Sequence, residues 1–299
     1  MEDRSDLRYA ILDPTGNITA LVESPVAVSR QPEVAAGIMA RHPQVEQVGF
    51  LTAVSQDGEP GRSALRMAGG EFCGNAAMSA AALVLLSESP GTTGDRVQPD
   101  GESTPETVCL QVSGAERPVE VRLWRETENR FRAGVRMPPA KEISKESFSW
   151  EDNRGQLPVV WMEGISHIVI EPDSPFWALR RDKASAEAAV RDWCDRLSAD
   201  GLGLMFYEDS PSARRLTPLV YVPGSGTVFW ENSCASGTSA AGMYLAEKNG
   251  GPVDLTMEEP GGVLRVESDP ARGETWLYGR AKLVERYGAR RETEGGVSL

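Results

Sequence analysis

Gly69-Gly70-Glu71-Phe72-Cys73-Gly74-Asn75 runs without a break into the alanine-rich stretch 76–86. Paired glycines interrupt regular structure, whereas alanine and leucine are strong helix formers. Cys73 is therefore placed at or just before a helix N-terminus. The same arrangement returns late in the chain. There Val228-Phe229-Trp230-Glu231-Asn232-Ser233-Cys234-Ala235-Ser236-Gly237-Thr238 enters a small-residue helix over 239–247. Gly250-Gly251 follows, as glycine commonly does at a helix end. Each cysteine has an acid just upstream, Glu71 or Glu231. Two such junctions in matching places predict an internal duplication.

Strand-like alternation occupies 7–12, followed by the turn Asp13-Pro14-Thr15-Gly16-Asn17 and a second apolar run over 18–22. A helix is predicted from about Pro32 to Arg41, and a strand over 48–54. Residues 87–106, rich in Ser, Pro, Gly and Asp, read as a loop or insertion. Strands follow over 108–112 and 119–124. Pro138-Pro139 and the polar stretch after it mark a crossover. The second half predicts strands around 159–162 and 167–170, and a helix over 185–197 with Val190, Trp193, Cys194 and Leu197 on one face. Further strands are expected over 204–207, 219–222, 263–266 and 275–283. The chain divides into an N-terminal half (1–140) carrying Cys73, a C-terminal half (141–289) carrying Cys234, and a loose tail (290–299).

The 299 residues carry a formal charge of -13, with 40% hydrophobic and 25% charged residues. That composition fits a globular α/β chain and lacks the basic face of nucleic-acid binders. The first residues are acidic and polar, unlike a signal peptide. No run of about 18 apolar residues offers a membrane span, and the expected location is cytoplasmic. Four cysteines without a close pair and only two histidines argue against a disulfide framework, a zinc site or imidazole-led catalysis. Cys109, in a strand, and Cys194, on an apolar helix face, read as packing residues. His42, before Pro43, reads as a surface residue.

Two cysteines at helix N-termini suit one reaction in particular. Inverting an α-carbon removes a proton from one face and returns one to the other. Matching residues of two pseudo-symmetric halves can flank a shared cleft. Helix N-terminal amides and the dipole favour a thiolate, so one thiolate and one thiol are expected at rest. The amides of Gly74, Asn75, Ser236, Gly237 and Thr238 are candidates to bind the substrate carboxylate. No lysine sits in an evident cofactor motif and no phosphate-binding glycine motif appears, so no cofactor or metal is expected.

Cys73-Gly74-Asn75, Trp230-Glu231-Asn232-Ser233-Cys234 and Gly16-Asn17 resemble motifs of the diaminopimelate epimerase superfamily. The resemblance runs from Asn17 to about Gly262. It implies two α/β halves, each a curved, mostly antiparallel sheet around a central helix, and cofactor-free catalysis by a dimer. Asn232 stands where diaminopimelate epimerases carry an arginine, and Ile165-Ser166-His167 replaces their Asn-Pro-His. The histidine racemase branch, which supplies D-histidine for opine metallophores, is more similar. Pro14-Thr15-Gly16-Asn17, Glu46-Gln47-Val48-Gly49-Phe50, Glu71-Phe72-Cys73-Gly74-Asn75, Trp230-Glu231-Asn232-Ser233-Cys234 and Pro260-Gly261-Gly262 match it. That resemblance implies histidine as substrate, with Asn17, Glu46, Asn75, His167, Glu231 and Asn232 around it. Read from the residues alone, Asn17 is equally a turn residue, Glu46 a surface carboxylate, His167 a core histidine and Glu231 a helix-cap group. Diaminopimelate or another free amino acid is the alternative substrate. A non-catalytic small-molecule binder, or an isomerase of the phenazine-pathway type, is the alternative of another class.

Overall fold

The computed structural model describes residues 7–54, 62–88 and 104–288. The expected loose tail, the opening residues and most of the 87–106 insertion lie outside the described residues. The first half runs β1 (Tyr9–Asp13), β2 (Thr19–Val22), α1 (Gln31–Arg41), β3 (Gln47–Val54), β4 (Arg62–Met67), α2 (Gly74–Glu88), β5 (Glu106–Val112), β6 (Val119–Thr127) and β7 (Arg130–Met137). The second runs β8 (Glu142–Trp150), β9 (Asn153–Trp161), β10 (Ser166–Ile170), α3 (Lys183–Leu197), β11 (Leu202–Asp209), β12 (Arg214–Val222), β13 (Thr227–Trp230), α4 (Ala235–Asn249), β14 (Val253–Glu259), β15 (Gly262–Asp269) and β16 (Glu274–Tyr287).

Strand pairing repeats. From β1 to β7 successive neighbours pair antiparallel, parallel, antiparallel, parallel, antiparallel, antiparallel. The series β9, β10, β11, β12, β14, β15, β16 follows the same order. Parallel neighbours need a long crossover, and α1, α2, α3 and α4 each supply one. The two series meet where β7 pairs antiparallel with β16, from Met137↔Thr275 to Arg130↔Lys282. β16 continues past this seam to pair with β1, so the last strand of the chain closes the first half's sheet.

The helices that follow the two cysteines are enclosed by these strands. α2 touches β2 to β7 and β16, and α4 touches β9 to β11 and β14 to β16. Ala76, Ala77, Met78, Ala80 and Leu83 are fully buried. A helix buried on every side must be apolar all round, and alanine keeps it thin enough for a sheet to wrap it. In α4, Gly242 faces Val266 so closely that a Cβ would lie 2.7 Å from it.

Several expectations change. The polar stretch after Pro138-Pro139 is β8, whose alternating exposure leaves only Phe148 buried; one wet face masked it. His42 is buried, not superficial. Its Nε2 meets the Tyr9 hydroxyl at 2.9 Å, and its ring packs on Tyr287, which arrives on β16 from the far end of the chain. Cys109 is exposed rather than packed, because it falls on the outward phase of β5. Cys194 is buried as expected. No described helix is long and apolar enough to cross a membrane.

Candidate active site between two helix N-termini

Cys73 immediately precedes α2, and its Sγ accepts a hydrogen bond from the amide of Ala76 at 3.4 Å. Cys234 is the N-cap of α4, and its Sγ accepts from the amide of Gly237, also at 3.4 Å. Each thiol takes the position usually held by a capping hydroxyl or carboxylate. The two helix ends touch: a Cβ on Gly74 would lie 2.9 Å from the Ala235 Cβ. Asn75 ties them by donating from Nδ2 to the Ser233 carbonyl at 3.0 Å. Both cysteines are buried, and the charge of Glu231 reaches both sulfurs.

A carboxylate network surrounds this junction. Glu46 accepts from Asn17 Nδ2 at 2.8 Å, from the Asn232 amide at 3.3 Å, and from Asn232 Nδ2. Glu231 accepts from Gln47 Nε2 at 2.8 Å and shares a hydrogen bond with the Cys234 thiol. Backbone contacts hold the Asn17 turn in place. Gly16 packs on Gly261 with room for no side chain, since a Cβ would lie 2.6 Å from Gly261 Cα. Gly261 in turn donates its amide to the Asn232 carbonyl at 2.7 Å. Gly16 has φ +94°, a conformation glycine adopts without strain. Two residues distant in sequence, Asn17 and Asn232, thus meet on Glu46.

The electrostatics overturn one expectation. Burial, the largest cause, pushes both thiols well above their ordinary value, and Glu231 adds to the shift. Helix amides oppose this at Cys73, yet desolvation outweighs them, so both groups rest as thiols. Burial also raises Glu231 to about 8. Glu46 and Glu71 are likewise raised by burial.

The amides expected to bind a carboxylate are partly in use. Gly237 donates to Cys234 Sγ, and Thr238 donates to the Cys234 carbonyl at 2.9 Å. The Thr238 hydroxyl bonds Glu259, so Thr238 locks the helix end. Ser236 places its hydroxyl 3.7 Å from Cys234 Sγ. Gly74 and Ser236 remain as first-turn positions, where helix amides lack internal partners, whereas the Asn75 amide, like that of Ala76, bonds the Cys73 thiol. Buried oxygens of Asn17 and Asn75 (Oδ1) and of Glu71 (Oε2) have no partner among the described residues.

His167 is not drawn into the carboxylate network. It is fully buried on β10 with neither ring nitrogen paired, and burial lowers its pKa to about 3. It packs against Gly203, and the Met205 thioether stands between it and the Cys234 end of α4.

Sequence reasoning missed Gln47 and Glu259. Glu259 is buried; its Oε2 accepts the Cys234 amide at 2.7 Å. Burial raises it to about 8. The signal was present: Met257 and Glu259 share the inward phase of β14, and an acid at an inward strand position needs a partner. Among the described residues, no group of three or more His, Cys, Asp or Glu side chains could hold a metal ion.

A duplicated sheet that brings two helix-capping thiols to one junction suits a racemase or epimerase, and the chain falls in that class of isomerases by its family. A family model described as "Histidine racemase CntK N-terminal domain" matches residues 6–276, and the chain belongs to that family. It is 27% identical over 270 residues to a histidine racemase of Staphylococcus aureus, covering 89% of this chain and 90% of that protein. It is 29% identical over 247 residues to a histidine racemase of Fusobacterium nucleatum, covering 80% and 81%. Among solved structures, a probable proline racemase from Agrobacterium radiobacter shares the fold, with TM-score 0.64, 11% identity, and 96% and 93% coverage.

Proposed function

We propose that this chain interconverts L- and D-histidine by two-base proton transfer, with Cys73 and Cys234 acting on opposite faces of the α-carbon and without cofactor or metal. The observation that carries the proposal is that both thiols cap helices whose N-termini touch, with one carboxylate, Glu231, within electrostatic reach of both. One sulfur, as thiolate, removes the α-proton and becomes a thiol. The other thiol gives its proton to the opposite face and becomes the thiolate. The pair ends with its protonation reversed, which suits a reversible reaction.

Thiolate formation needs a proton acceptor and a nearby cation. Glu231, hydrogen-bonded to Cys234 and raised by burial to about 8, is the acceptor at hand in its ionised form, which prevails above that value. The substrate's α-ammonium supplies positive charge. The unpaired Asn17 and Asn75 oxygens are suited to hold it, and its arrival lowers the thiol pKa. Gly74 and Ser236 amides then take the α-carboxylate, and the Asn75 amide, bonded to the Cys73 thiol, can join them only by leaving it. Glu46 and Asn232 complete the surroundings of the substrate, and His167, behind Met205, stands outside them.

Substrate choice follows from charge. A pocket of about 200 Å³ that reaches the site at Glu46 and Glu231, but is lined by neither cysteine, also includes Glu71 in its lining. Such a lining favours an imidazole side chain that can carry positive charge and disfavours a distal carboxylate like that of diaminopimelate. By resemblance, D-histidine made here is a building block for an opine metallophore, and the enzyme acts as a homodimer.

The test is chiral chromatography of L-histidine and L,L-diaminopimelate after incubation, with α-proton exchange followed in heavy water. Turnover of histidine that is lost in both Cys73→Ala and Cys234→Ala is the expected result. Full activity in either variant refutes the mechanism; turnover of diaminopimelate alone refutes the substrate.

A further inference from the structure

The two thiols are matched in most respects. Each caps a helix, and each Sγ accepts an amide from the residue three positions on, at 3.4 Å. Each follows an acid, Glu71 or Glu231. The strands that come after the two helices match as well. β5 and β14 are seven residues long, pair parallel with one neighbour, β4 or β12, and bury their fifth and seventh residues. The fifth is apolar in both, Leu110 and Met257, whereas the seventh is Val112 in the first half and Glu259 in the second. The duplication therefore sets a carboxyl group beside Cys234 and a hydrocarbon at the equivalent place in the half that carries Cys73.

Glu259 can hold a proton without giving up a partner. Its Oε2 accepts the Cys234 amide at 2.7 Å, and its Oε1 is bonded to the Thr238 hydroxyl. That hydroxyl also lies 2.9 Å from the Cys234 carbonyl. A hydroxyl has one proton to donate. When the proton goes to the carbonyl, the bond between Thr238 and Glu259 needs a proton from the carboxyl; when Glu259 is ionised, the hydroxyl turns to it. Burial favours the first arrangement and raises Glu259 to about 8. The titratable groups that face it are Cys234 on α4 and Glu231 just after β13, whose charge raises it further. On β12, Arg215 pairs with Glu258, which lies on the exposed phase of β14, and on β15 the residue opposite Glu259 is Gly262.

A thiolate on Cys234 beside a carboxylate on Glu259 is a pair of buried negative charges at one helix end, and each disfavours the other. Glu231 acts on both sulfurs and Glu71 on Cys73, but Glu259 acts on Cys234. We infer that Glu259 is a positioning residue that works as a neutral acid: its proton allows Cys234 to become the thiolate, and loss of that proton holds Cys234 as the thiol. The inference rests on the racemase reading of the site, in which every turnover, in either direction, begins or ends with Cys234 as thiolate. Ionisation of Glu259 therefore slows both directions together.

The experiment measures kcat/KM for L-histidine racemisation by wild type, Glu259→Gln and Thr238→Val from about pH 7 to about pH 10. Glutamine puts a neutral donor where the protonated carboxyl stands, so it cannot ionise. Thr238→Val keeps the carboxyl but removes a hydrogen bond that lowers its pKa, so Glu259 keeps its proton to higher pH; this variant covers the case in which Glu259→Gln does not fold. Each variant's kcat/KM divided by that of wild type should rise with pH, by about 10-fold or more across the range for Glu259→Gln. Ionisation of the substrate and of Glu231 cancels in this ratio. A second readout needs no substrate: iodoacetamide labelling of Cys234 relative to Cys73, resolved by peptide mass spectrometry, should fall above about pH 8 in wild type and not in Glu259→Gln. Ratios that stay flat with pH in both variants, as a purely structural role would give, overturn the inference, as does a wild-type labelling ratio that does not change with pH. A wild type that does not racemise histidine refutes the function, and the labelling then decides the inference by itself.

Discussion

Replacing Gly74 by alanine tests whether the contact of the two helix ends sets the distance between the two thiols. The new Cβ would lie 2.9 Å from the Ala235 Cβ and 3.2 Å from the Met137 sulfur. Carbon atoms in contact sit about 3.5–4.0 Å apart, so α2 and α4 must separate by roughly 1 Å. Both are enclosed by sheet, and a packed core resists such movement. Overpacking of this kind costs about 1–3 kcal/mol, which lowers Tm by roughly 2–4 °C for each kcal/mol in a domain of 150–250 residues. Activity responds more steeply, because a displacement of about 1 Å in a catalytic constellation costs on the order of 100-fold. The assay is L-histidine racemisation by chiral chromatography beside a thermal melt. The expected outcome is a folded protein with kcat/KM down on the order of 100-fold. A Gly74→Ala enzyme of undiminished kcat/KM refutes the claim that this contact sets the catalytic spacing.

Glu259 makes a second prediction: Glu259→Ala leaves the Cys234 amide without its acceptor and takes one of two partners from the Thr238 hydroxyl, and should destabilise the fold by about 1–3 kcal/mol, measured by urea titration. Glu259→Gln, keeping the shape and one acceptor oxygen, should lose less. The pH dependence of stability follows from the same groups. Glu231 and Glu259 are raised from 4.5 to about 8 in the folded chain, so between those values the folded state binds more protons than the unfolded one. Stability therefore falls as pH rises from about 4.5 to about 8, and Glu259→Gln should flatten the slope; denaturant midpoints at several pH values that rise, or a slope identical in the variant, contradict this. Asn232→Ala removes two of the hydrogen bonds that steady Glu46 if the backbone shifts with it, and one if it does not. It should raise the KM for histidine with little change in Tm, and an unchanged KM removes Asn232 from the substrate's surroundings.

Much was legible along the chain because it depends on neighbours in sequence. Glycines before an alanine run place Cys73 at a helix start, and the Ser-Cys-Ala-Ser-Gly-Thr passage does the same for Cys234; local backbone preference suffices. Repetition of that junction pointed to a duplication, but not to the order in which the strands pair. The wet-faced strand β8 and the inward phase that buries Glu259 were not read, because exposure on one face of a strand depends on what packs against the other.

Only the folded chain decided the contacts on which chemistry depends. The sequence could not show that Asn17 and Asn232 meet on one carboxylate, that Gln47 reaches Glu231, or that a strand ending at Tyr287 buries His42. Nor could it show the sign of the thiol shifts. Helix ends alone favour thiolates, and the sequence contains the helix ends. Desolvation comes from the sheets wrapped around them, and in this site it is the larger effect, because taking charge out of water outweighs what a few amide dipoles return.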